Sequence, residues 1–413
     1  MNLPRVATAV SLLKCLLGSA PFAVMACHSP SGQRAAASVR DSAGVTLTTV
    51  TVPAEDVPEW DLRPTALTIP RPEQAGAPEF VEVTDALWLS DGRVLVVDGG
   101  ARVMYVCGSD GVCRTTFGWR GQGPGEFRRI GVVTVTSEDS VFVHDPVRRT
   151  LQVFHPDAGL VRTVSLVASA EDDGAVPLEV RRSGPDRLVR LSYRPQPLTS
   201  LPANAQWTRW TSTAVLALVD EAGDLLAERV EFEGGYSALG EMMDLRLPFS
   251  NRPFVFVGAQ AIVYGSGQTF ELTVADVATL ARRMQVRWPS NREPIRTAEI
   301  EKFTARRLGR ARSQMARSLV STQFSRRLLP SFRPALGGVL ISPDGHIWAG
   351  RFEPAIDYPN EALWYVLDAQ GTPLGRVPLP PKSHLTAVAG DSLLVVQRDS
   401  LDAWSVKVYR VLR

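Results

Sequence analysis

The segment DGRVLVVDGGARVMYV, from Asp91 to Val106, superposes on EDSVFVHDPVRRTLQV, from Glu138 to Val153, at a constant offset of 47 residues. Val94 falls on Val141, Asp98 on Asp145, Arg102 on Arg149 and Val106 on Val153. The same offset carries Gly76, Glu79 and Phe80 onto Gly123, Glu126 and Phe127. A repeat of this length points to one supersecondary unit stacked many times, because a single unit cannot bury its own apolar face. Within each unit, apolar runs of about five to seven residues, rich in Val, Leu and Phe, alternate with turn signals such as SDG, SPDG and DAQG. That is the pattern of short antiparallel strands, about four to a unit.

A third copy appears at SPDGHIWAGRF, Ser342 to Phe352, and two degenerate units lie before it. The last unit, from His384, supplies only three strands. The segment TALTI, residues 65–69, aligns with the outermost strand of the first complete unit but follows no inner strands. It is expected to pair with the last unit and close the array, which removes exposed sheet edges. The expected fold is all-β: a six-bladed β-propeller over residues 45–413, closed by an N-terminal strand. The run GVTLTTVTV, residues 44–52, reads as a further edge strand with no assigned partner.

One stretch breaks the β pattern. Over about residues 292–333, Ile300, Leu308, Ala311, Met315 and Leu319 stand close to helical spacing, with Pro294 suited to a first turn and Pro330 to the end. This predicts a helical insertion between blades four and five. It carries eleven basic residues against three acidic ones, a local charge of +8 in a chain whose net charge is +2. The overall balance implies no attraction to nucleic acid. The local excess makes Arg306, Arg307, Arg310 and Arg312 candidate contacts to an anionic surface, the alternative being a solvated helix face.

The first residues have a basic start at Arg5, an apolar run from Val6 to Leu17 and small residues up to Cys27, which reads as an export signal over 1–26. VMAC, Val24 to Cys27, resembles a bacterial lipobox, which implies lipidation of Cys27, with plain secretion as the alternative. The small polar stretch that follows suits a flexible tether, assigned to residues 27–44. Cys107 and Cys113 flank a five-residue turn between two strands, a placement that suits a disulfide in an exported chain. Free thiols remain an alternative, and a zinc site lacks a histidine at ligand spacing.

The glycine-rich stretch GWRGQGPGEF, Gly118 to Phe127, resembles a phosphate loop, but a strand follows it where a nucleotide fingerprint needs a helix. It reads better as a joint between blades, built from Gly121, Gly123, Pro124, Gly125, Glu126 and Phe127. In it Gly125 takes the positive-φ position of a type II turn and Phe127 plugs the wedge between blades. The joint, the DGRVLVVD strand and the arginine after it resemble the NHL-type six-bladed β-propellers. More narrowly, the chain is similar to exported bacterial propeller lipoproteins that open with a segment such as DSAGV, Asp41 to Val45. The resemblance implies a scaffold fold with little information about activity.

Asp98 with Arg102, and Asp145 with Arg149, suit either a ring of charges around a channel or caps in which each aspartate pairs with the arginine four residues on. Trp119 and Arg120 in the joint, and Trp207, Arg209 and Trp210 in a long loop of the third unit, are candidate rim contacts, with simple packing as the alternative. The favoured function is a non-catalytic envelope scaffold for a protein, peptide or glycan, without cofactor or metal and tied to a membrane by its lipid. The rival is a lactonase-like hydrolase or lyase with its site in the central channel, against which stands the scarcity of carboxylates in the inner strands.

Overall fold

The computed structural model describes residues 36–71, 76–166, 175–194, 207–239, 244–289, 293–354 and 362–413. The signal segment, Cys27 and Arg292 lie outside them. The described chain opens with a hairpin, β1 (Ala37–Ser42) and β2 (Val45–Val50), followed by β3 (Asp61–Ile69). A first sheet follows: β4 (Val83–Trp88), β5 (Val94–Asp98), β6 (Val103–Cys107) and β7 (Cys113–Phe117). A two-stranded parallel pair, β8 (Trp119–Arg120) and β9 (Glu126–Phe127), leads to the second sheet: β10 (Val133–Val135), β11 (Val141–Asp145), β12 (Thr150–His155) and β13 (Gly159–Ser165).

The third sheet holds β14 (Val176–Gly184), β15 (Arg187–Arg194), the long β16 (Thr208–Val219) and β17 (Val230–Leu239), and the short β18 (Asp244–Arg246). The fourth holds β19 (Phe254–Val257), β20 (Ala261–Gly265), β21 (Glu271–Asp276) and β22 (Arg282–Arg287). Two helices come next, α1 (Thr297–Arg310) and α2 (Gln314–Gln323). The fifth sheet is β23 (Leu336–Ile341), β24 (Ile347–Arg351), β25 (Leu363–Leu367) and β26 (Pro373–Pro378). The sixth is β27 (Ser383–Ala389), β28 (Ser392–Arg398) and β29 (Trp404–Leu412), to which β3 adds antiparallel, Ile69 opposite Val406 and Asp61 opposite Leu412.

The core divides into one apolar cluster per pair of neighbouring sheets. Sheets one and two share Leu95, Phe127 and Phe154; sheets two and three share Phe142, Leu151 and Leu188; sheets three and four share Leu216 and Ile262. The series continues through Trp288 with Leu336, then Val377 with Val395, and returns through Leu394 and Ile69 to Val94 of sheet one. The first strands touch one another in the same cyclic order, so the sheets form a closed ring, a β-propeller. Second strands such as β5 (VLVVD) and β11 (VFVHD) are fully buried because a neighbouring sheet covers each face. Outer strands such as β7 and β13 carry exposed polar residues.

Two expectations need correction, and the unplaced strand finds its partner. The tether assigned to residues 27–44 ends earlier, because Ala37–Ser42 forms β1, paired along its length with β2. The edge strand without a partner, β2, lies parallel to β22 on the outside of sheet four, Thr46 opposite Met284. In the helical segment, Ala311 is the C-cap of α1 and Ser313 caps α2 through its Oγ, which accepts the Ala316 N–H at 3.1 Å. Met315 is therefore exposed, and Ile300 is joined on the buried face by Phe303, Val320 and Phe324.

A four-stranded meander ends on the side where it began, so the connection from each sheet's fourth strand to the next sheet falls on one side of the ring, here the joint side, whereas the chain from β2 to β3 crosses to the other side, where Asp61 lies opposite Leu412. The chain also enters β1 on the joint side, since Ala37 pairs with Val50 and β2 runs parallel to β22. On the opposite, turn side, connections have at most five residues, apart from the ten between β16 and β17.

Candidate functional site

The joint between sheets one and two closes on itself. The Glu126 carboxylate accepts the amides of Gln122 at 2.8 Å and Gly123 at 2.7 Å, so the loop carries its own anion where a phosphate would otherwise sit. These backbone hydrogen bonds hold the Glu126 carboxyl below its ordinary range. A Cβ on Gly121 would collide with that carboxylate. Gly125 has φ +79°, and its N–H donates to Gln152 Oε1 at 2.7 Å. Arg148 donates to the carbonyls of Gly123 and Glu126, at 3.0 and 2.8 Å. Phe127 is fully buried between the two sheets.

The repeated aspartates clamp these joints. Asp98 accepts the amides of Val81 at 2.7 Å, Glu82 at 3.0 Å and Ala101 at 2.9 Å. Asp145 accepts those of Arg128 at 2.8 Å, Arg129 at 3.3 Å, Val147 at 3.0 Å and Arg148 at 3.0 Å. Each carboxylate thus ties the start of its sheet to the turn after the second strand. The expected pairing with the arginine four residues on is not formed. Arg102 and Arg149 instead take positive φ, 63° and 54°, and the Arg102 N–H donates to the Asp98 carbonyl at 2.7 Å.

The aspartate is absent from sheets three, four and six, where Tyr193, Gly265 and Gln397 take its place, and in sheet five it is replaced by an arginine. Arg351 pairs with Leu336 at the position where Asp98 pairs with Val83, and it borders a cavity of about 700 Å³ between sheets four and five, open on the joint side. Phe270, Trp288 and Tyr365 pack edge-on beneath it with centroids 4.9 to 5.8 Å apart, and Trp288 Nε1 donates to the Val52 carbonyl at 2.9 Å. Arg351 meets Glu353 at 3.0 Å, and Arg333 meets Glu299 at 2.5 Å while its N–H bonds the Glu293 carbonyl at 2.9 Å. Burial pushes the Glu353 carboxyl up against the opposing pull of Arg351, and burial likewise raises the Tyr365 hydroxyl. The cavity thus offers cationic, anionic and hydroxyl groups above an aromatic floor.

The inner ring holds a smaller polar group that the sequence reading passed over. Burial pushes the Asp85 carboxyl on β4 up to about 7, opposed by Arg181 on β14. Arg181 also pairs with Glu179 at 3.1 Å and lies 5.7 Å from the Phe256 ring on β19. Burial drives His144 and His384 down to about 4, which keeps both neutral at physiological pH. Among the described residues no three His, Cys, Asp or Glu side chains converge as a metal-ligand set.

Trp119, 57% exposed, and Arg120 stand free on the joint side. Trp207, by contrast, packs against Ala238, Leu247 and Leu328, and Arg209 donates to the Leu329 carbonyl at 3.1 Å beneath the helices. Arg209 and Trp210 belong to β16 and not to a loop. Arg306, Arg307, Arg310 and Arg312 are exposed on or just after α1. Cys107 and Cys113 face each other across β6 and β7 as a disulfide. No described helix is long and apolar enough to cross a membrane.

A closed ring of antiparallel sheets places the chain in the β-propeller class. No protein-family model and no curated protein matches the sequence. Among solved structures it is similar to a protein of Bacteroides fragilis thought to be exported, with a TM-score of 0.50 and 9% identity over 89% of this chain and 100% of that one. A member of the DUF4221 family from Bacteroides vulgatus gives a TM-score of 0.49 and 11% identity over 86% and 98%. At such identities the likeness is one of fold.

Proposed function

We propose that the chain is an exported, six-bladed scaffold of NHL type in a bacterial cell envelope, with its helical pair inserted between blades four and five. A lipid on Cys27 ties it to a membrane, and its joint side binds a protein, peptide or glycan without catalysis. The observation that carries this reading is the asymmetry of the ring. The turn side is trimmed to short turns, whereas the joint side holds the 48 residues between β22 and β23 and the cavity of about 700 Å³. That volume lies in the range of small-ligand sites, about 300–1,000 Å³. The likeness to a protein thought to be exported supports the compartment.

The test is a glycan and peptide array probed with the protein and with the Arg351→Gln, Tyr365→Phe double variant. The expected result is a ligand retained by the first and lost by the second at unchanged melting temperature. Binding that survives this change but is lost on altering Asp91 and Asp157 of the turn side would contradict the assignment. Lactone turnover abolished by Asp85→Asn would replace it with the channel-enzyme reading.

A further inference from the structure

Resting on the assignment of the joint side as the binding side, we infer that this side docks onto an anionic bilayer. Three separate observations meet there. The first is apolar: Leu401 is 87% exposed, Val81 63% and Val147 56%, each on a joint-side connection of sheets six, one and two, where Trp119 also stands. Met315, 73% exposed, adds an apolar tip at the helices. On the turn side Leu226 is the only large apolar residue so exposed among the described residues. Apolar tips beside basic residues are what an interfacial surface requires, since the tips enter the headgroup boundary and the cations meet the phosphates.

The second is charge. Arg307, Arg312, Arg317, Arg326 and Arg327 are exposed on the helical segment, and no described carboxylate lies within ion-pair distance of them. The turn side carries carboxylates instead, among them Asp91, Asp110, Glu138, Asp157, Asp368 and Asp391. The ring is therefore polarised along its axis, with its basic end and its apolar tips on the same side. A negatively charged surface attracts that end and repels the other.

The third is the path of the chain. The chain enters β1 at Ala37 on the joint side, ten positions along the chain from Cys27. Even fully extended, this stretch spans at most about 35 Å. A lipid on Cys27 would hold this side near the headgroups, so anchor and surface act together.

The residues from Ala35 to Arg413 form a compact unit of their own, which can be tested without the leader. In cosedimentation the body is expected to bind phosphatidylcholine vesicles containing phosphatidylglycerol and to leave pure phosphatidylcholine vesicles unbound. Salt at about 0.5 M, which screens charges beyond a few ångströms, should release it. Replacing the five arginines by Gln should weaken binding at least tenfold. Leu401→Ser with Val147→Ser should weaken it without changing its salt dependence. All of these positions are exposed, so an unchanged melting temperature verifies the fold. Equal binding to neutral vesicles, no loss in the arginine variant, or retention of an acidic protein with no vesicle binding would each overturn the inference. If vesicle binding fails while an array ligand still depends on Arg351, the lipid surface alone is rejected and the cavity reading stands.

Discussion

The end of the second strand does one job in sheets one and two and another in sheet five. At Asp98 and Asp145 a buried carboxylate gathers three or four backbone amides and locks a joint. At Arg351 the same position carries a cation, 38% exposed, beside an open cavity, and the joint that precedes it has grown into two helices. Residues that obey the repeat lock two of the joints, whereas Arg351, one of several departures that include Gly265 and Gln397, borders a cavity between sheets four and five.

The comparison is broken most severely by exchanging the roles. Asp145→Ala strands four amides and should destabilise the protein by about 3–5 kcal/mol in denaturant unfolding, whereas Arg351→Ala should cost under about 1 kcal/mol, as for a solvent-exposed ion pair. Equal losses would erase the distinction. Gly125→Val forces a β-branched residue to φ +79° with open space around it, so the cost is one of backbone conformation alone. We expect about 1–3 kcal/mol by the same measurement.

A smaller effect concerns Asp85. Because its folded value, about 7, lies above its ordinary 3.8, the folded protein holds this proton more tightly than the unfolded chain does. Its contribution is full below 3.8 and is lost as pH rises through about 7. Melting temperature should therefore fall across that window in the wild type and fall less in Asp85→Asn. Identical profiles would mean that Arg181 keeps the carboxylate ionised. The smallest expected signal is at Cys107 and Cys113, where thiol reagents should label neither residue in the unreduced folded protein.

The sequence disclosed what the repeat writes twice. Gly125, Phe127 and the aspartates recur at one offset because the same joint contacts recur, and the orphan outer strand β3 stood out for lacking inner partners. The arginines after the aspartates were misread because spacing alone does not reveal a positive φ, and the aspartates' oxygens are already taken by amides. The cavity was illegible for another reason: Val52, Gln268, Trp288, Arg333, Arg351 and Tyr365 come from distant segments that meet only when the ring closes. Arg351 was visible as a departure from the repeat, but its surroundings were not. Asp85 was hidden by an irregularity at Thr84 that shifts the register of β4.

Hydrogen exchange on the body, Ala35 to Arg413, with and without vesicles containing phosphatidylglycerol, tests most directly whether the ring has one binding side. The account predicts slowed exchange confined to the joint side, at residues 76–82, 118–121, 297–327 and 399–403, with the turns at 89–93 and 342–346 unaffected. Slowed exchange at those turns, or on both sides equally, would contradict it.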